Sequence, residues 1–146
     1  MKLLPAAFVV LALAPGVAFA DDKAECDFIE IAASTAKAKP LADELKPLEK
    51  KLHQPPLSSY SVFDLESKGH VDLAKLKPDA LKIARGHATV LLRDRHDKRL
   101  ELTMTLDDAK GKRVLESKQS VNAGDWNLWV HSDGPSSGHI VALTCK

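Results

Sequence analysis

The residue types best suited to chemistry lie near the carboxyl end of the chain, where His131, Asp133 and His139 flank a turn-forming segment. A hairpin across residues 132–138 would bring the two histidines near one another at the open end of two strands. Two imidazoles and a carboxylate can hold zinc or copper(II). The spacing matches no recognised metal motif, and histidines also commonly lie exposed at strand ends. His131, Asp133 and His139 are therefore a candidate metal site, with exposed surface residues as the alternative.

Serines beside the same histidine raise the question of nucleophilic catalysis. A serine nucleophile needs a constrained turn, a base within reach and an oxyanion hole, and the surroundings of Ser136, Ser137 and His139 give no sign of all three. Asp107 and Asp108 form a carboxylate pair, but in a predicted hairpin turn they are solvated, and nothing would shift a pKa toward general acid/base work. We therefore assign no catalytic residue and no cofactor, and we expect the protein not to be an enzyme.

Three aromatic side chains are candidates for contact with a partner. Trp126 and Trp129 are three residues apart in a strand-like run, so strict alternation would direct them to opposite faces. One would then belong to the core, while the other would be exposed or cover a sheet edge. Tyr60 ends a proline-containing loop that could recognise a partner or simply turn the chain with Tyr60 packed beneath it. Tyr60, Trp126 and Trp129 are therefore candidate contacts for a protein or glycan, with core packing as the alternative.

The chain has two cysteines, Cys26 and Cys145, one near each end of the predicted mature protein. An even pair in an oxidising compartment predicts one disulfide that ties the first strand to the last. A metal-binding or reactive pair is less favoured, because the close Cys-x-x-Cys spacing of such sites is missing.

A helix is predicted over about residues 40–53. Apolar residues recur there at helical spacing and would form one stripe: Leu41, Leu45, Leu48 and Leu52. Pro47 would kink this helix or restart it as a second short one, and Pro55 with Pro56 would end it.

The remainder of the chain has the alternating pattern of β-strands, mainly between residues 58 and 145. The clearest case alternates four apolar residues with polar ones: Leu100, Leu102, Met104 and Leu106. An earlier β-prone run covers residues 25–33. About seven short strands and one N-terminal helix predict an antiparallel β-sandwich in a single domain, residues 21–146.

The first twenty residues, 1–20, are typical of a cleaved signal peptide. Lys2 precedes an apolar run, and Ala18 and Ala20 form a small-x-small cleavage site. The run is too short to span a bilayer. We therefore expect export to the periplasm or the extracellular space, with no membrane insertion after cleavage.

The segment Pro55-Pro56-Leu57-Ser58-Ser59-Tyr60-x-x-Phe63 resembles one found in small secreted β-rich proteins of unknown function from predatory soil bacteria. The closing run Gly138-His139-Ile140-Val141-Ala142-Leu143 is similar too. The chain departs from that pattern at Leu57, where an aromatic residue is usual, and at Ser137, where a second glycine is usual. The resemblance implies a β-rich exported fold and assigns no site.

Charge gives no indication of a partner. The signal contains one basic residue, which leaves 20 basic and 20 acidic residues interleaved along the mature chain. Such a balance argues against nucleic-acid binding, which needs a patch of one sign. We expect a monomeric, exported binding or structural-accessory module. Two alternatives remain, a periplasmic metal-binding protein and an inhibitor that inserts loop 55–60 or 132–138 into a secreted hydrolase. A histidine-lined notch would favour the first, and an exposed apolar patch the second.

Overall fold

A computed structural model describes residues 22–146, so the predicted signal peptide lies outside the described residues. The described chain forms eight strands: β1 (Lys23–Ser34), β2 (Val62–Ala74), β3 (Asp79–Leu81), β4 (His87–His96), β5 (Arg99–Asp107), β6 (Arg113–Asn122), β7 (Asn127–Gly134) and β8 (Ser137–Cys145). Between β1 and β2, a 3₁₀ turn (Asp43–Leu48) continues into the short helix α1 (Glu49–Leu52), and a second 3₁₀ turn covers Leu57–Ser59. None of the described helices is long and apolar enough to span a bilayer.

The strands form two antiparallel sheets that pack face to face. The first sheet has the order β2-β1-β8-β7, and the second has the order β3-β4-β5-β6. One buried apolar cluster contains residues of both sheets, including Phe28 and Val141 of the first and Leu92 and Leu102 of the second. The predicted antiparallel β-sandwich is therefore confirmed.

Two details differ from the sequence prediction. There are eight strands rather than about seven, because the three residues Asp79–Leu81, for which no strand was predicted, pair with β4 as β3. The helix is also shorter than residues 40–53, and most of it has 3₁₀ geometry. Pro47 lies inside that turn, and a proline lacks the N–H that a regular α-helical bond would use.

Most of the predicted leucine stripe is nevertheless buried, although Leu41 is only partly so. Leu45, Leu48 and Leu52 are fully buried in a second cluster on the outer face of the first sheet. The helical segment therefore forms a third layer, and β1 is covered on both faces. Residues of β1 alternate accordingly between the two clusters: Ala24, Cys26 and Phe28 face the second sheet, whereas Ile29, Ile31 and Ala33 face the helical segment.

The predicted disulfide joins Cys26 of β1 to Cys145 of β8, which lie directly opposite each other. Their neighbours Glu25 and Lys146 exchange both backbone hydrogen bonds, at 3.1 and 2.9 Å. The cysteines therefore occupy the close, non-hydrogen-bonded position of an antiparallel ladder, with their Cα atoms 4.1 Å apart. The cross-link closes a loop over a sequence separation of 119 residues.

Replacing both Cys26 and Cys145 by alanine should lower the free energy of unfolding by about 2–5 kcal/mol, because the unfolded chain is no longer restrained by the long loop. Urea denaturation followed by tryptophan fluorescence measures the change. A loss below about 1 kcal/mol would contradict a stabilising role for this cross-link.

Candidate functional site

A buried carboxylate lies at one end of the otherwise apolar space between the sheets. Glu30 is 0% exposed, and both of its oxygens accept hydrogen bonds. Oε2 accepts from Ser67 Oγ and from the Ala84 amide, each at 2.6 Å. Oε1 accepts from the Arg85 amide at 3.0 Å and from His139 Nε2 at 2.8 Å. A buried charge is tolerated when its hydrogen-bonding capacity is filled in this way.

Strand alternation explains why this carboxylate is internal. Glu30 follows Phe28 on the face of β1 that points toward the second sheet, so its side chain continues the core row. A β-bulge in β2 brings its partner to the same face. Glu30 pairs with Ser67, but the next residue of β1 pairs with Leu65, so one residue of β2 is extra. The bulge reverses the alternation of β2, with Leu65 packed toward the helical segment and Ser67 toward Glu30.

The loop between β3 and β4 supplies the two amide donors. Within this loop Gly86 has a φ of 67°, a conformation that favours glycine. A Cβ at Gly86 would lie 2.1 Å from the backbone oxygen of Asp107. The loop therefore passes directly against the end of β5 and the start of the β5–β6 turn. This close approach holds the Ala84 and Arg85 amides in line with Glu30.

The environment of Glu30 keeps its carboxylate ionised. Burial raises the pKa of Glu30, but hydrogen bonds from Ser67, Ala84, Arg85 and His139 together outweigh that effect and leave the pKa below its ordinary value. An ionised carboxylate can only accept hydrogen bonds. The ring nitrogen Nε2 of His139 therefore carries the hydrogen and donates it.

His139 also lines a groove of about 470 Å³ at the open end of the sandwich, called here the end groove. Other polar side chains along its walls are those of Arg85, Asp107, Asp108, His131, Asp133 and Ser137. His131 lies directly opposite His139 in the β7–β8 ladder. Asp133 lies between two partners, with Oδ2 3.4 Å from Arg85 Nη1 and Oδ1 3.6 Å from His131 Nε2.

The hairpin thus brings His131, Asp133 and His139 together, as the sequence predicted. Among residues 22–146, no group of three or more histidine, cysteine, aspartate or glutamate side chains is arranged to hold a metal ion. Asp133 is directed partly to Arg85, and Nε2 of His139 is occupied by Glu30. A three-residue metal site at this hairpin stays a prediction.

The serine and histidine of this cluster do not form a catalytic triad. Ser67 donates its hydroxyl hydrogen to Glu30, so the carboxylate lies between Ser67 and His139. In a triad the histidine lies between the serine and the carboxylate. The letters Gly134-Pro135-Ser136-Ser137-Gly138 fit the Gly-x-Ser-x-Gly pattern, but here they form a two-residue hairpin between strands, not a strand-to-helix elbow.

The carboxylate pair of the β5–β6 turn has a structural role. Asp108 Oδ1 accepts hydrogen bonds from the amides of Lys112 and Lys110, both at 2.9 Å, and these bonds hold the pKa of Asp108 below its ordinary value. This corrects the expectation that nothing would shift a pKa in this turn. The direction of the shift moves Asp108 away from acid/base work near neutral pH. Asp107 pairs instead with Arg113, at 2.6 Å.

A second groove, of about 520 Å³, lies on the outer side of the first sheet and is called here the Trp126 groove. Its polar walls are formed by Asp27, Glu44, Lys68 and His70. His70 bridges two carboxylates, with Nδ1 2.9 Å from Asp27 Oδ1 and Nε2 2.9 Å from Asp72 Oδ1. Hydrogen bonds to Asp27 and Asp72 raise the pKa of His70.

The three aromatic candidates have different environments. Trp129 is 2% exposed in the core between the sheets, so it is inaccessible to a partner, which corrects its assignment as a contact residue. Trp126 is half-buried over the second cluster and reaches the groove that bears its name. Tyr60 is also half-buried and donates its hydroxyl to the Ser137 carbonyl at 3.2 Å, which fastens the proline loop to the β7–β8 hairpin. The division into one core and one accessible tryptophan follows the predicted alternation.

Sequence reasoning missed Glu30 and Ser67. The available signal was a single acidic residue at an inward-facing position of an apolar strand, Cys26-Asp27-Phe28-Ile29-Glu30-Ile31. Such a residue needs internal partners if the strand is buried. Its partners could not be named, because Ser67 and His139 lie 37 and 109 residues away in sequence.

Comparison with known proteins finds no relative. No family model matches the chain, and the searches of curated proteins and of solved structures found no match. Function must therefore be inferred from the two grooves and their side chains.

The buried carboxylate predicts a pH-dependent effect of Glu30→Gln. Because the pKa of Glu30 is lower in the folded chain, its contribution to stability is complete above the unfolded value, about 4.3, and is lost as pH falls through the folded value. The substitution should cost about 1–3 kcal/mol at pH 7, since a buried amide cannot accept from all four donors. The difference between wild type and variant should shrink below about pH 4.

Urea denaturation of both proteins at pH 7 and pH 3 measures this difference. Asp94 and Asp108, whose pKa values are also lowered, are present in both proteins, so their effects cancel. A difference that is the same at both pH values would contradict an ionised Glu30.

Gly86→Ala and Gly111→Ala form a matched pair. Both glycines have positive φ values, 67° and 82°, so both substitutions impose backbone strain. A Cβ at Gly111 meets no atom within 4 Å, whereas at Gly86 it collides with backbone. Gly86→Ala should therefore be the less stable variant by at least about 1 kcal/mol in thermal unfolding. Equal melting temperatures would contradict the close approach of the two loops.

Proposed function

We propose that the protein is an exported, non-enzymatic binding module of the periplasm or extracellular space, and that the Trp126 groove holds a neutral glycan. Export is supported by the signal-peptide pattern of residues 1–20 and by the Cys26–Cys145 disulfide, a cross-link that persists in oxidising compartments. We further propose that the chain acts as a monomer and belongs with the small secreted β-rich bacterial proteins that it resembles around Tyr60.

The observation that carries the proposal is an accessible tryptophan set among hydrogen-bonding side chains. Trp126 lines a concave groove with Asp27, Glu44 and His70. A sugar ring has apolar C–H faces, which pack against an aromatic ring, and hydroxyl groups at its edge, which donate to carboxylates. Binding sites typically combine such an apolar wall with a few placed polar groups.

Two of the polar groups of this groove, Asp27 and His70, are held in place by hydrogen bonds before any ligand binds. Asp27 and His70 are direct partners in the β1–β2 ladder, and Asp72 holds the other side of the imidazole. Side chains on paired strands lose little conformational freedom on binding. The fixed array suits a ligand recognised by several weak hydrogen bonds.

A protein partner is less well supported. Among the described residues, Leu76 is the only large hydrophobic residue that is well exposed to solvent, at 69%. A stable protein interface buries about 800 Å² on each side around a largely apolar centre. The proposed hydrolase inhibitor lacks support for the same reason, since neither loop 55–60 nor loop 132–138 presents a large exposed apolar side chain.

Trp126→Ala tests the proposal directly. Wild-type protein should bind at least one member of a panel of neutral oligosaccharides in isothermal titration calorimetry. The variant should bind that oligosaccharide at least about tenfold more weakly, since the stacking surface is lost. Tyr60→Phe is the matched control, because it keeps the ring and changes a different groove.

Unchanged affinity in Trp126→Ala would contradict the assigned site. If wild type binds none of the neutral oligosaccharides, glycan binding itself is contradicted.

A further inference from the structure

The end groove contains two imidazoles that the proposed glycan site does not use. His131 and His139 are direct partners in an antiparallel ladder, so both side chains lie on the same face of the first sheet. Side chains paired in this way have Cβ atoms about 5 Å apart. Both also line the same groove, at the open end of the sandwich.

Glu30 fixes the orientation of one of these rings. Nε2 of His139 donates to the buried carboxylate at 2.8 Å, which leaves Nδ1 as the nitrogen with a free lone pair. Nδ1 has no hydrogen-bond partner among the described residues, and it is not among the buried polar atoms that lack one. It is therefore open to the groove.

The second imidazole is only loosely held. His131 is 29% exposed in its side chain, and its nearest polar contact is Asp133 Oδ1, 3.6 Å from Nε2. That distance is too long for a good hydrogen bond. The ring of His131 can therefore rotate toward His139 without breaking a strong interaction.

We propose that the end groove binds one divalent transition-metal ion through His139 Nδ1 and the imidazole of His131, with Glu30 as a positioning residue and water as the remaining ligands. Imidazole suits copper, nickel and zinc, and for a given site copper(II) binds more tightly than either of the others. The site is separate from the proposed glycan groove. It requires two protein ligands, so it is compatible with the absence of three-residue groups in residues 22–146.

The role given to Glu30 follows a general feature of metal sites. A metal-bound histidine usually donates its other ring N–H to a carboxylate or carbonyl, which fixes the tautomer and strengthens the ligand. Here the carboxylate is already in place and already fully hydrogen-bonded. If the Glu30–His139 hydrogen bond had only a structural role, it would use Nε2 alone and would not need His131. Substituting His131 therefore separates a structural role of this bond from a role in metal binding.

The test is titration of the full chain, purified with its disulfide intact, with Cu²⁺, Ni²⁺ and Zn²⁺, followed by calorimetry and native mass spectrometry. Wild type should bind one Cu²⁺, with Ni²⁺ and Zn²⁺ weaker. His131→Ala and His139→Ala should each weaken Cu²⁺ binding at least about tenfold, and Glu30→Gln should weaken it about 10- to 100-fold. His96→Ala is the matched control, since His96 is a highly exposed histidine outside the groove and should leave binding unchanged.

Fluorescence gives an independent readout. Trp129 lies two residues before His131 on the same face of β7, about 7 Å along the strand. Bound Cu²⁺ should therefore quench Trp129 in a Trp126→Phe background, and His131→Ala should remove the quenching. His131→Ala should fold like the wild type, because this side chain is partly exposed and makes no strong hydrogen bond. Loss of quenching in this variant would therefore report loss of the metal and not loss of the fold.

Wild-type affinity for Cu²⁺ in His131→Ala would overturn the proposal. Failure of the wild-type protein to bind any of the three ions would overturn it as well. Neither result would affect the glycan proposal, which depends on Trp126.

Discussion

The burial of one charge, on Glu30, constrains how the chain is arranged at the open end of the sandwich. Its carboxylate is removed from water and accepts four hydrogen bonds from three different parts of the chain: β2, the β3–β4 loop and β8. Desolvating a carboxylate is costly unless its partners are complete, and removing one partner leaves an uncompensated group. The four contacts therefore depend on one another, and they couple the first sheet to a loop of the second.

Two local features of the backbone, a bulge and a glycine, allow these hydrogen bonds to form. The bulge in β2 turns Ser67 toward Glu30, and Gly86 lets the loop pass close enough to Asp107 to aim its amides. The result is a sandwich that is apolar through most of its length and polar at one end. That end holds an imidazole with one nitrogen fixed inside and the other directed to solvent. The Trp126 groove, on the outer face of the same sheet, is built from a different set of side chains.

Much of the architecture could be predicted from local pattern. Leu100, Leu102, Met104 and Leu106 alternate because one face of β5 is buried, and all four are in the core. The disulfide could be predicted because the chain has two cysteines, so each has one possible partner in an oxidising compartment. The helix prediction was only partly correct. Leu45, Leu48 and Leu52 are buried together as predicted, but the segment around Pro47 has 3₁₀ rather than α-helical geometry. The three-residue β3 has no periodicity long enough to detect, and the network of Glu30 depends on contacts across as many as 109 residues.

Both the Glu30 network and the proposed metal site depend on the orientation of the His139 ring, which can be established from the tautomer of the imidazole. Long-range ¹H–¹⁵N correlation spectra of the histidines distinguish a hydrogen on Nε2 from one on Nδ1. We expect neutral His139 to carry its hydrogen on Nε2 in the wild type and to lose this preference in Glu30→Gln. A hydrogen on Nδ1 in the wild type would rule out both the His139–Glu30 hydrogen bond and the proposed metal site, since Glu30 would lack this donor and the groove would lack an open nitrogen.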